Sequence, residues 1–178
     1  QRDAQPNTFY IADSGNCRIM SYLLGNTVGT QVAGGSTCSN TNTRLSSAWG
    51  FYLDSVSNSL IIANSYANTI VRWILGDNQW TLIAGINGIA NKTSTTFNVA
   101  CDVQLDPMGN MYVGDLYNHR IQFFLSQQTS AITIIGVTGV NGKNATLLNQ
   151  PGAIILDSQL NIYVSDMENH RIQKYLRY

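Results

Sequence analysis

One interval constrains this chain more than any other property. Asp13, Asn64, Asp115 and Asp166 lie 51 residues apart, and each is followed six residues later by an isoleucine: Ile19, Ile70, Ile121 and Ile172. Gly34, Gly85 and Gly136 keep the same interval and close the runs "TQVAGG", "TLIAGI" and "TIIGV". Within the period, "GDLYNHRIQFF" at Gly114 to Phe124 returns as "SDMENHRIQKY" at Ser165 to Tyr175. A fixed period of this length marks an array of supersecondary units, each unable to bury its apolar face alone.

Each unit carries four short strand-like runs separated by turn residues, and no segment keeps a helical period. In the third unit they are Cys101 to Leu105, Asn110 to Gly114, Arg120 to Leu125 and Ala131 to Ile135. Between the first two lies "DPMGN", where Pro107 presets φ and Gly109 accepts a positive one, so a tight hairpin is expected. "DSVSNS" from Asp54 and "DSQLN" from Asp157 take the same place. Four-stranded sheets of this size bury both faces by stacking radially, which predicts an all-β fold, a β-propeller of antiparallel four-stranded blades. A β-solenoid is disfavoured because its repeats are shorter, and neither the Gly-Gly doublet of kelch blades nor the WD signature recurs.

Asn118-His119-Arg120-Ile121-Gln122 after Gly-Asp, with Leu148-Asn149-Gln150-Pro151-Gly152 ahead of Leu156-Asp157, resembles the NHL repeat. The resemblance extends over essentially the whole chain, 1–178, as units of about 1–35, 36–86, 87–137 and 138–178. Two copies are degenerate: "DSGNCRIMSY" puts Cys17 in place of His, and "NSYANTIVRW" puts Asn68 and Thr69 in place of His and Arg. Propellers of this family are commonly six-bladed. Here the expected strand count is three, four, four and three, fourteen in all, so the ring is incomplete and the missing blades come from a longer parent chain or a second copy.

Because strand direction alternates, the NHRI turns and the long connections between blades emerge on one rim. Cys17 and Cys38 both fall there and are the expected disulfide, while Cys101 reads as a small buried hydrophobe. The sequons at Asn91 and Asn144 lie in the connections, as candidate glycosylation sites. Asp13 with Arg18, Asp115 with Arg120 and Asp166 with Arg171 are expected to pair and hold the turns. His119 and His170 sit one period apart, with no carboxylate or third His at ligand spacing, so a structural reading outweighs a catalytic one. Together with Tyr66 and Tyr117, also one period apart in the exposed turns, they make a candidate partner-binding rim. Trp73 and Trp80 read as packing residues, and Asp54, Asp106 and Asp157 as hairpin acceptors.

Charge then narrows the function. Ten basic and ten acidic residues give a net charge of zero, which offers nothing to a phosphate backbone, so nucleic acid is not the expected partner. The longest apolar runs, such as Leu60 to Ala63, are too short to insert in a bilayer. The start "QRDAQPNTFYIAD" lacks the pattern of a signal peptide and an initiating Met, and the chain reads as a processed product or a piece of something longer. No nucleophile elbow, phosphate loop or zinc-protease motif is present. The expectation is a non-enzymatic, cofactor-free module of an extracellular protein or ectodomain, binding a protein or glycan through its rim. The resemblance implies two alternatives: the cytoplasmic substrate-recognition propeller of a tripartite-motif ubiquitin ligase, and a metal-dependent peptidyl-hydroxyglycine amidating lyase, to which no catalytic residue carries over.

Overall fold

The computed structural model describes residues 1–3 and 7–177. Fifteen strands form four antiparallel meanders: β1(Arg2–Asp3), β2(Thr8–Asp13), β3(Arg18–Leu23) and β4(Thr30–Gly34); β5(Ala48–Asp54), β6(Ser59–Asn64), β7(Thr69–Ile74) and β8(Trp80–Gly85); β9(Ala100–Leu105), β10(Met111–Asp115), β11(Arg120–Phe124) and β12(Ile132–Gly136); β13(Pro151–Leu156), β14(Ile162–Asp166) and β15(Arg171–Tyr175). These are blades of a β-propeller. The first blade departs from expectation: Arg2 and Asp3 pair with Phe9 and Thr8, adding a strand too short to show any alternation in sequence.

Three apolar cores lie between the four blades. The first joins Ile19 and Ala33 to Leu60, Ile62 and Trp80; the second joins Ile70 and Ala84 to Phe97, Val113 and Phe124; the third joins Ile121 and Ile135 to Leu148, Ile154 and Val164. A closed ring would have as many cores as blades. The outer faces of the end blades are accordingly bare. Every residue of β6 and β10 is buried, whereas Ile11 of β2 and Ile155 of β13 are exposed. Ile172 is 68% exposed, although its equivalents Ile19, Ile70 and Ile121 are all at 0%. The fold is an open arc.

In the third and fourth blades the hairpin after the first strand is held as the sequence implies. Asp106 Oδ1 accepts the amides of Met108 and Asn110, both at 2.9 Å, with Gly109 at φ +79. Asp157 Oδ1 does the same for Gln159 and Asn161, at 3.0 and 2.8 Å. The connections between blades do not stay on the rim. They fold back along the grooves, where the Trp80 amide reaches the Asn42 carbonyl and the Ala131 amide the Ser94 carbonyl, both at 2.8 Å. Trp73 and Trp80 are buried, as packing residues should be.

Candidate functional site

The second and third strands of every blade are joined by one turn of 3-10 helix, ended by a residue in the left-handed region: Cys17, Asn68, His119 and His170, with φ of 54, 57, 55 and 54. Few side chains tolerate that conformation, and Asn and His are among those enriched there. The alternation of His with Asn at this position therefore has a backbone cause. The same residues reach the next blade. Asn68 Oδ1 accepts the Val99 amide at 2.8 Å, and His119 Nδ1 accepts the Gln150 amide at 3.2 Å. Burial lowers the pKa of His119, which suits a neutral ring with an accepting Nδ1. No contact joins His119 to His170, and His170 is exposed with no described bond to its ring.

The carboxylate that opens each turn organises the surrounding backbone. Asp115 Oδ1 accepts the Asn98 amide at 2.8 Å, while Oδ2 takes Asn118 Nδ2 at 2.9 Å and Arg120 Nε at 2.8 Å. Asp166 repeats this with Asn149 at 2.6 Å, Asn169 at 2.8 Å and Arg171 at 2.7 Å. Burial pushes the Asp115 carboxyl above its ordinary pKa, against the donors that favour its charge. At Asp166 burial pushes the same way, but Asn169, the Asn149 amide and Arg171 outweigh it and hold the carboxyl below the usual range. The difference follows position, since the third blade is covered on both faces and the fourth on one. Asp13 and Arg18 pair at 2.8 Å on the open first blade, with about a third of each side chain exposed.

The guanidinium groups go further than their carboxylates. Arg120 also donates to the carbonyls of Lys92, Thr93 and Thr96 at 3.2, 2.7 and 3.2 Å, and Arg171 to those of Lys143, Asn144 and Leu147 at 2.6, 2.8 and 3.1 Å. Each arginine thus anchors the connection entering its own blade, and both sequons lie in connections held this way. Asn144 Oδ1 accepts from the Thr146 amide and hydroxyl at 3.0 and 2.9 Å, a local turn that leaves the exposed side-chain nitrogen pointing away from those bonds. The second blade has Thr69 where the arginine would be, and buried Thr69 Oγ1 and Asn64 Nδ2 find no hydrogen-bond partner among the described residues. The connection entering that blade is tethered otherwise: Cys38 within it forms a disulfide with Cys17, with Cα atoms 5.2 Å apart.

Tyr66 and Tyr117 stand out from successive turns, 61% and 48% exposed. Trp49 was not singled out by the sequence as a partner of Tyr66, yet their rings meet edge to face at 5.9 Å. Exposed Ile86, Ile89, Val137 and Val140 extend this rim. They were missed individually, although the sequence carried a signal: Ile86 with Val137 and Ile89 with Val140 keep the 51-residue interval. Gly88 and Gly139 tie the two segments to the turns, donating to the carbonyls of Ala67 and Asn118 at 2.8 and 2.9 Å.

Near the axis, sequence reasoning also passed over Asp102. Its Oδ2 accepts the Ile154 amide of the next blade at 2.8 Å, and its Oδ1 the Val103 amide at 2.9 Å. Gly50 permits this approach, since a Cβ there would stand 2.3 Å from Asp102 Oδ1. Burial raises the Asp102 pKa to about 6, against the two amides that lower it. The folded chain then holds this proton over a pH range in which the unfolded chain has lost it. The resulting stabilisation is full below the ordinary carboxylate pKa and is lost as pH rises through about 6, on the order of 3 kcal/mol at most. His119 titrates with the opposite slope, so the test is a difference. Melting of the native chain and Asp102→Asn, compared from about pH 4.5 to about pH 7.5, should show the native chain losing stability relative to the variant. Parallel curves would remove Asp102 as the cause. Cys101 beside it is buried, and burial drives its thiol pKa upward, so it is unreactive.

Among the described residues, no three His, Cys, Asp or Glu side chains come together as a metal set, and no helix is long and apolar enough to cross a membrane. Residues 148–175 match the NHL repeat family. The fourth blade is an NHL repeat. The other three share its turn geometry, and the chain is a propeller arc whose last blade carries the match. No curated protein sequence matches it. Among solved structures it resembles a Bacteroides thetaiotaomicron protein of unknown function, with TM-score 0.76 and 17% identity over 98% of this chain and 46% of that one. An auxiliary nutrient binding protein from the same organism matches with TM-score 0.69 and 18% identity, over 94% and 44%. A nidogen/laminin complex contains a chain matching with TM-score 0.68 and 15% identity, over 96% and 55%. The chain thus spans about half the length of these neighbours.

Proposed function

We propose that the NHL arc is a non-enzymatic recognition module of an extracellular protein, binding a protein or glycan through the rim of its motif turns. The observation that carries the reading is the exposed set of Tyr66, Tyr117, Ile86 and Val137, set out on one rim by the repeat itself, with Trp49 edge to face against Tyr66. Aromatic side chains offer large, rigid contact area with a polar edge, which suits recognition rather than chemistry. The turn histidine of the third blade has its Nδ1 engaged by a backbone amide, leaving it a support for the rim rather than a base. The disulfide and the two exposed sequons favour an oxidising compartment. Neighbours described as a nutrient binding protein and as a nidogen/laminin complex lend the same reading weight.

Two measurements test it. Non-reduced intact mass of natively produced protein, before and after deglycosylation, should show glycan on Asn91 or Asn144 and two hydrogens fewer than three free thiols require. Bare asparagines with three thiols would instead favour the cytoplasmic ubiquitin-ligase propeller. In a panel of immobilised glycans and secreted proteins, authentic binders should be retained by the native arc and lost with Tyr66→Ala/Tyr117→Ala at unchanged Tm. Retention by both would move the site off this rim.

A further inference from the structure

Three blades fill the same spot beside the motif turn in different ways. Trp49, Cys101 and Gly152 each follow the first-strand residue that pairs with the opening residue of the turn: Ala48 with Asn64, Ala100 with Asp115, Pro151 with Asp166. In the third blade the first residue of the turn supplies the bulk, and Leu116 packs with Val99 and Cys101 in one buried cluster. In the fourth, Met167 covers Gly152, where a Cβ would stand 2.5 Å from Met167 Sδ. The second blade reverses the order: its turn opens on small, buried Ser65, and the strand carries Trp49. The spot is filled elsewhere from the turn, so packing does not demand an indole there, and the ring stays 38% exposed.

The neighbouring turns leave that ring accessible. The preceding turn is tied to the same strand by Ser14 Oγ, which donates to the Ala48 carbonyl at 2.5 Å. It has Gly15 where the next two turns have Tyr66 and Tyr117, and a Cβ on Gly15 would meet nothing within 4 Å. On the other side Tyr66 stands against the indole with the ring planes 71° apart, so the pair forms a corner rather than a closed stack. Its donors are unspent. Trp73 Nε1 donates to the Asp77 carbonyl at 3.0 Å and Trp80 Nε1 to the Arg44 carbonyl at 2.7 Å. Among the described residues neither Trp49 Nε1 nor the Tyr66 hydroxyl has a hydrogen-bond partner. Ser14, Gly15, Asn16, Ser65 and Ala67, which flank the two rings in the turns, carry no charge.

We propose that the corner of Trp49 and Tyr66 binds a neutral pyranose sugar, one ring of an oligosaccharide, with its hydroxyl oxygens accepting from the indole N–H and the tyrosine O–H. This rests on the recognition reading above and names its ligand class. A pyranose presents C–H groups on its faces and hydroxyls around its edge, so one ligand meets both the aromatic surface and the free donors. A methylated ammonium also suits aromatic rings, but a quaternary one has no lone pair and would leave both donors unspent. An aliphatic side chain of a protein would do the same. With no charged side chain among the residues of the corner, a sulfated or sialylated sugar gains nothing over a neutral one.

Tryptophan emission reads the site, because Trp73 and Trp80 are buried and Trp49 is not. The whole chain is titrated with cellotriose, chitotriose and mannotriose, and with tetramethylammonium as the charged control. At least one sugar should give a saturable change in emission, and Tyr66→Ala should abolish it. Tyr66→Phe keeps the ring and removes only the O–H. It should weaken that sugar about two- to tenfold at unchanged Tm, the ratio expected of one hydrogen bond, while Tyr117→Phe changes nothing. No saturable response to any of the three sugars, a response that Tyr66→Phe leaves intact, or one confined to tetramethylammonium would overturn the proposal. The wider reading fails separately: protein binders lost with Tyr66→Ala/Tyr117→Ala, without any sugar response, would keep the rim as the site and remove only the sugar.

Discussion

Arg120→Ala is expected to lower the stability of the arc by roughly 3–5 kcal/mol, the cost of leaving a buried charge unpaired. Both members of the Asp115–Arg120 pair are almost fully enclosed, at 0% and 3% side-chain exposure, and the guanidinium also satisfies three connection carbonyls and the Thr138 hydroxyl. The chemically identical change Arg18→Ala should leave Tm close to its native value, because that pair stands in solvent where ion pairs contribute little. The second blade suggests a sharper comparison. It places Asn64 and Thr69 at the corresponding positions and still folds into a buried sheet. Asp115→Asn/Arg120→Thr should therefore recover much of what Arg120→Ala loses, since removing both charges avoids the uncompensated carboxylate. Denaturant unfolding of the native chain and the three variants reads this directly. A double variant no better than the single one would mean that the loop carbonyls, not the charge, set the cost.

The second large effect concerns Cys17 and Cys38. Converting both to serine should cost about 3 kcal/mol by loop-entropy reasoning for a separation of 21 residues. Its location gives the loss a particular form. The connections entering the third and fourth blades are each bound by an arginine, whereas Thr69 cannot reach the connection entering the second. The disulfide holds that connection from the preceding blade instead. Hydrogen exchange should therefore rise across 35–47 in Cys17→Ser/Cys38→Ser while 87–98 stays protected. Uniform acceleration over both segments would show that the bond acts on the whole unfolded chain rather than on one tether.

Much of this architecture was legible because repetition makes weak local signals add. A single run such as Ile132 to Gly136 says little, but three glycines and four turn residues at one interval fix strand order, blade count and register together. Two other features were hidden for physical reasons. The two-residue strand Arg2–Asp3 spans a single period of alternation, too little to show a pattern, and is recognisable only by its partners Phe9 and Thr8. Asp102 has no equivalent in the repeat, and its bond to the Ile154 amide depends on a sheet 52 residues away and on the bare backbone of Gly50. At the rim, Tyr66 and Tyr117 were visible as a period, whereas Trp49, an aromatic outside that period, owes its place against Tyr66 to the pairing that brings a first strand beside a turn.

The bonds from Asn68 to Val99 and from His119 to Gln150 bear on how such arrays can be cut and rejoined. Each links the middle of one blade to the start of the next, and each apolar core is likewise shared between two sheets. The cooperative element is then a staggered half-blade pair rather than the blade that the eye isolates. Recombination at the boundary between sheets would sever a core, a turn-to-amide bond and an arginine-held connection at once. A crossover inside a blade, at the hairpin joining its third and fourth strands, parts the turn residue from the amide of the next blade but leaves each arginine on the same side as the connection it holds. Exchange of modules among proteins of this kind should favour that seam.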